Sequence, residues 1–175
     1  HDIEFVEAII DGVADQYPVD LKRVYATGYS LGSMFTYELM CHLSDRFAGI
    51  ASHAGTMPIN PNSCEMDRNV ALMHIHGAED WLISYTNSWG WKAWDEVGDM
   101  HSVPSLVAFW AEKQGCGAVE IFDSASSEHQ VYPDCGDVRV EHHKVKNVGH
   151  EWPMSINGVS THQVIWDFVS EFSNP

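Results

Sequence analysis

Basic residues are scarce in this chain. Nine Lys and Arg stand against 25 Asp and Glu, a formal net charge of −16 over 175 residues. Phosphate contacts need Lys and Arg, so neither nucleic acid nor an anionic membrane surface is expected as a partner. Long apolar runs are also missing, and none approaches the length that crosses a bilayer. There is no secretory leader and no initiating Met; the chain starts at His1 and reads as a processed or truncated product. No C-x-x-C pair occurs among the four cysteines, Cys41, Cys64, Cys116 and Cys135. An even number fits two disulfides in an oxidising compartment, with buried free thiols as the alternative, and four cysteines allow three connectivities. No internal repeat, low-complexity tract or linker interrupts the chain, so residues 1–175 read as one domain, and the acidic composition fits a secreted protein.

What is present centres on Gly28-x-Ser30-x-Gly32. A β-rich stretch, Arg23–Thr27, precedes it and a helical stretch, Met34–Leu43, follows. A serine on such a sharp strand-to-helix turn has its hydroxyl pushed out above the sheet. Side chains two positions either side are expected to collide with strand and helix, hence two glycines. The helix N-terminus points at the serine, and the Leu31 amide is placed to donate to an oxyanion.

Around this turn the pattern alternates. Helical periodicity covers Asp2–Tyr17, with Ile3, Val6, Ile9, Ile10 and Val13 as its apolar positions; Pro18 ends it. Strands are predicted at Phe47–His53, Val70–Ile75, Ala118–Phe122, His129–Tyr132 and Val138–Lys146, and helices at Ser102–Gln114 and Ser160–Phe172. Such alternation predicts an α/β fold with a mostly parallel sheet flanked by helices. Trp81, Trp89, Trp91 and Trp94 crowd an aperiodic segment, 81–101, that reads as an irregular cap or a substrate wall.

A serine needs a base, and the base needs an orienting acid. Open α/β sheets place their sites in loops at the C-terminal ends of strands. Asp80 follows Val70–Ile75 after Gly77, and His150 follows Val138–Lys146 after Gly149, in the order Ser, Asp, His. Glu79, Asp95 and Asp99 are weaker acids for this purpose, and His142 and His143 lie within a strand. His74 and His76 share one strand face and could in principle hold a metal, but no third ligand accompanies them and no metal is expected. His76-Gly77 follows the nucleophile, so it is not a lipase-type oxyanion motif. Tyr29, Trp81 and Trp152 are the expected substrate-binding side chains.

The stretch Arg23–Met34 resembles the elbow of the polyhydroxybutyrate-depolymerase/feruloyl-esterase family of secreted α/β-hydrolases. So do Cys41–Phe47, Ala54–Pro58, His74–Asp80, Gly149–Pro153 and Val164–Phe168. The resemblance runs from about Asp2 to the C-terminus. It implies an α/β-hydrolase fold, Ser30 as nucleophile, Asp80 as acid, His150 as base, and extracellular ester hydrolysis without a cofactor. The substrates it implies are polyester fragments, feruloyl and acetyl esters of plant polysaccharides, and simple acyl esters. Leu31 and Ser33 stand where the family often has Asn and Gly. The family also has an N-terminal portion, with an oxyanion segment, that has no counterpart here, so the chain reads as truncated. Two rival readings are a catalytically impaired fragment or binding module, and a peptidase on the same fold.

Two further expectations concern stability. Cys41 is expected to pair with Cys64 and Cys116 with Cys135, each closing a loop of about twenty residues worth roughly 3 kcal/mol. The strand Arg23–Thr27 is expected at an exposed sheet edge, which invites a homodimer or association with a separate N-terminal segment.

Overall fold

A computed structural model describes residues 1–60, 64–90 and 98–175. Helical spacing of apolar residues forms α1 (Asp2–Gln16), with Asp2 and Glu4 in the first turn, where the dipole favours them. Then β1 (Tyr25–Tyr29) leads into α2 (Leu31–His42) with only Ser30 between them. Next come β2 (Gly49–His53) and β3 (Ala71–Gly77), both buried at every residue. Strands covered on both faces need no polar alternation, and the polar residues these two carry, Ser52, His53, His74 and His76, are buried with the rest. A small antiparallel pair, β4 (Trp89–Gly90) and β5 (Asp99–Met100), precedes α3 (Val103–Lys113). The Ser102 hydroxyl caps α3 by accepting the Ser105 amide, and Pro104 sits in the first turn, where no backbone N–H is needed. A meander of β6 (Glu120–Asp123), β7 (Ser127–Cys135) and β8 (Val138–Val145) follows. A second small pair, β9 (Ser155–Ile156) and β10 (Val159–Ser160), leads into α4 (Thr161–Val169).

The main sheet has the order β1-β2-β3-β8-β7-β6. Strands β1, β2, β3 and β8 are parallel, and β7 and β6 run antiparallel at the far side. Alternation along β3 and β8 divides their side chains between two faces. His74, His76 and His142 look toward α2 and α3, where Tyr37 and Trp110 stack with ring centroids 5.7 Å apart. Arg139, Glu141 and His143 look toward α4, where the Arg139 guanidinium lies over the Phe168 ring.

Two expectations need correction. The strand into the turn begins at Tyr25, not Arg23, and runs on through Gly28 to Tyr29. Its ladder with β2 pairs Tyr25 with Gly49 and continues to Tyr29 with His53, which carries the strand up to the serine itself. In α1, Ile9 and Val13 are exposed; only Ile3, Val6 and Ile10 of the apolar positions pack on the core. The helix rests on the body along one line, tied by Arg46 to Glu7 and Asp11, so a stripe wider than that line stays in solvent. As expected, β1 is an edge strand. The chain's end reaches its base: the Tyr25 hydroxyl donates to the Phe172 carbonyl at 2.7 Å, and Arg23 to that of Ser170 at 2.7 Å. Cys41 pairs with Cys64 and Cys116 with Cys135, the expected connectivity.

Candidate active site

Ser30 is the hinge between β1 and α2. Its backbone has φ 55° and ψ −116°, a region that a non-glycine residue occupies only when the surroundings dictate it. Two contacts dictate it here. The Ser30 amide donates to the His53 carbonyl at 2.9 Å, extending the ladder by one bond. The Ser30 carbonyl accepts the Met34 amide at 3.1 Å, starting the helix. Gly28 permits the close fit, because a Cβ there would lie 2.2 Å from the Gly32 carbonyl oxygen. Gly32 does not behave as expected: a Cβ there would meet nothing within 4 Å. It lines an open cavity instead of facing the strand, so one glycine of the pair carries the steric requirement. A neighbouring constraint escaped the sequence. Ala54 has φ 53°, and a Cβ on Gly55 would lie 2.3 Å from the Ser33 hydroxyl.

His150 and Asp80 arrive from the ends of β8 and β3. The two loops touch backbone to backbone at Gly77, where a Cβ would lie 2.3 Å from the carbonyl oxygens of Val148 and Gly149. The Glu79 amide donates to the Val148 carbonyl at 2.9 Å and fixes their relative height. In this arrangement Ser30 Oγ lies 2.8 Å from His150 Nε2, and His150 Nδ1 lies 2.8 Å from Asp80 Oδ2. Asp80 Oδ1 accepts the amides of Leu82 and Ile83 at 2.9 and 2.8 Å. His76 Nε2 lies 3.2 Å from Oδ2. Burial alone would raise the Asp80 pKa. The hydrogen bonds from His76, His150 and the Ile83 amide outweigh it and lower it to about 2. An ionised carboxylate holding Nδ1–H leaves Nε2 free to accept the serine proton. The first amides of α2, including Leu31 N–H, have no partner within the helix and point toward the same end.

The other expected residues surround this line. Tyr29 donates its hydroxyl to the His150 carbonyl at 2.9 Å and packs its ring 5.4 Å from the imidazole. Trp81 stands 79% exposed, edge-on to His150 at 6.4 Å. Trp152 packs on Tyr29 and on His53 at 6.3 and 4.8 Å. A largely apolar cavity of about 610 Å³ opens beside the serine, lined by Leu31, Gly32, Phe35, Met57, Pro58 and Met100 among others. Of the tryptophan-rich segment, residues 91–97 lie outside the described residues.

Among the described residues, metal binding fits poorly. The facing nitrogens of His74 and His76 are taken up by hydrogen bonds to each other, to Tyr37 and to Ile83. A different group, His129, Glu141 and His143, has ligand atoms within 4.8 Å of one another. Its two imidazoles are stacked, centroids 4.0 Å apart and planes within 13°, so their in-plane lone pairs run side by side and do not converge on one ion. His53 was also missed: it is buried at the end of β2, and burial lowers its pKa to about 3.

The sequence profile of the phospholipase/carboxylesterase family matches residues 2–92. The bifunctional acetylxylan esterase/xylanase XynS20E of Neocallimastix patriciarum is 28% identical over 173 residues, 98% of this chain and 24% of that protein. Feruloyl esterase B of Piromyces equi is 24% identical over 178 residues, 99% of this chain and 32% of that protein. The chain thus spans 24% and 32% of the length of these curated relatives. The structure of an acetyl xylan esterase from Aspergillus awamori superposes with a TM-score of 0.68 at 14% identity, covering 96% of this chain and 66% of that one. A thermostable esterase superposes with a TM-score of 0.57 at 18% identity, covering 98% and 36%. These superpositions establish the α/β-hydrolase fold.

Proposed function

The chain belongs to the phospholipase/carboxylesterase family, and from that premise we propose that it hydrolyses carboxylic esters through Ser30, His150 and Asp80. The observation that carries the reading is the unbroken line from Ser30 Oγ through both nitrogens of His150 to Asp80, each gap 2.8 Å. In the proposed cycle, His150 Nε2 takes the Ser30 proton as Oγ bonds to the ester carbonyl carbon. The carbonyl electrons move to oxygen, where the Leu31 amide stabilises the charge. Collapse expels the alkoxide, which takes the proton from His150, and leaves an acyl-serine. Water then attacks the acyl-serine with His150 as base, releasing the acid and restoring Ser30. Asp80 stays ionised throughout.

Acetyl and feruloyl esters of plant polysaccharides are the favoured substrate class. Two features support this: the relatives named for those esters, and the apolar cavity next to Leu31, wide enough for an aromatic acyl group. Two disulfides support a working location outside the reducing cytosol. The test is turnover of an aryl acetate and of methyl ferulate by the chain and by Ser30→Ala. Turnover lost in the variant, with a phosphonate adduct on Ser30 alone by mass spectrometry, is the expected result. No turnover and no adduct in the folded chain would instead favour the non-catalytic module.

A further inference from the structure

Behind Asp80 runs a second line of polar groups that the proposed cycle does not use. His76 Nε2 lies 2.9 Å from the Ile83 carbonyl oxygen and 3.2 Å from Asp80 Oδ2. Both neighbours only accept, so Nε2 carries the hydrogen. In a neutral imidazole Nδ1 is then bare, and it faces His74 Nε2 at 3.1 Å. His74 Nε2 must therefore donate, which leaves its own Nδ1 bare. That nitrogen lies 2.6 Å from the Tyr37 hydroxyl, which completes the line as a donor. Two acceptors, the Ile83 carbonyl and Asp80 Oδ2, thus set the position of every hydrogen from His76 back to Tyr37. All three side chains are buried, at 1% exposure or less. Burial holds the His74 pKa well below the ordinary value and pushes that of Tyr37 up. The rings are stacked, His74 on His76 at 5.3 Å and Tyr37 on His74 at 6.1 Å, so packing holds what the hydrogen bonds order. His142 is not part of the line, because its Nδ1–H goes to the His74 carbonyl at 2.9 Å.

We propose that Tyr37, His74 and His76 are positioning residues: a proton-ordered chain that braces the Asp80 carboxylate from behind and keeps Oδ2 aimed at His150. The proposal rests on the catalytic reading of Ser30, His150 and Asp80. No proton travels along the chain. The His76 hydrogen stays on Nε2 while the serine proton moves to His150 and on to the leaving group. Asp80 is held at Oδ1 by two amides and at Oδ2 by imidazoles from two directions, so it cannot swing as charge builds on His150.

Two measurements on the full chain test this. Nitrogen-15 NMR of histidine-labelled protein at pH 7 should show His74 neutral, with a hydrogen on Nε2 of both His74 and His76. In Tyr37→Phe the His76 hydrogen should stay at Nε2, because the Ile83 end sets it. A hydrogen on Nδ1 of His76 would overturn the proposal. In kinetics, His76→Leu should lower kcat about 10- to 100-fold with KM unchanged, the loss expected for one hydrogen bond to a charged group. His76→Gln, whose amide N–H reaches the same acceptors, should recover most of it. A folded Leu variant with wild-type kcat, or a Gln variant no better than Leu, refutes the positioning role. Turnover surviving Ser30→Ala would remove the catalytic reading instead, while the NMR still decides the proton order.

Discussion

The sheet carries two carboxylate–histidine clusters on neighbouring strands, one of which leads to the Ser30 hydroxyl and one of which does not. Asp80 lies beyond the end of β3 and receives His150 and His76. Glu141 lies in mid-β8 and receives His129 at 2.8 Å and Arg139 at 2.5 Å, with His143 alongside. Hydrogen bonds lower both carboxyl pKa values against the opposing effect of burial, and at Glu141 the Arg139 guanidinium adds to them. The difference lies in where each line leads. From Asp80 it passes through His150 to a hydroxyl held in a strained turn. From Glu141 it passes through Arg139 to a second carboxylate, Glu171, and ends as a closed set of charges under α4. The directions of the carboxyl pKa shifts do not distinguish the clusters; position at a strand's C-terminal end does.

The comparison breaks most visibly on its acids. Asp80→Asn should leave the fold intact and lower kcat by about 10⁴-fold, because the amide no longer selects the Nδ1–H tautomer. Glu141→Gln should leave kcat within about threefold, since no reacting atom depends on it. Steady-state kinetics on both variants decides the matter, and equal losses would erase the distinction between the clusters.

A smaller effect separates them by pH. Burial and the neighbouring His129 lower the His143 pKa to about 4, partly opposed by Glu141. The folded value lies below the unfolded one of about 6.5, so between these limits the unfolded chain binds more protons. Stability should therefore fall as pH drops from about 6.5 to about 4, with His143 contributing on the order of 3 kcal/mol, and level off below. Urea melts across that range should show a shallower acid slope in His143→Leu, with ester turnover at pH 7 unchanged. An unaltered slope would show that His143 charges within the fold.

The finest test is steric. Gly77→Ala should force apart the loops bearing Asp80 and His150 and cost about 100-fold in kcat, the scale of a misplacement near 1 Å. Gly149→Ala, whose Cβ would find its nearest neighbour at an ordinary 3.4 Å from the Trp81 ring, should be nearly silent. Matching losses would mean that the two glycines serve chain flexibility and not the fit between loops.

Much of this was legible in the sequence because it is local. Gly28 and Ser30 sit within one turn, and Asp80 and His150 each follow a strand and a glycine, so chain order alone brings them to one end of the sheet. The disulfide pairing follows from neighbouring elements. What the sequence hid depends on facing directions. GxSxG does not say that Gly28 meets the helix while Gly32 meets open space. The periodicity of α1 does not say how narrow its seat is, so Ile9 and Val13 stand beside Ile3, Val6 and Ile10 with nothing to separate them. His74 and His76 are conspicuous as H-x-H, yet their partners Tyr37 and Ile83 come from a helix and a loop that no local pattern connects.

The Ile83 carbonyl has a consequence for heredity. It orders the hydrogens behind Asp80 with an atom that every amino acid possesses. Mutation can exchange the Ile83 side chain for another that fills the same space and leave the instruction intact. The instruction is stored in the shape of the turn from Asp80 to Ile83, held by the two amides that Asp80 itself accepts. Relatives could therefore share this device while showing no shared letter at the position that governs it. The acceptor at Ile83 is thus a contour of the turn, while Tyr37, His74, His76 and Asp80 must be present as side chains.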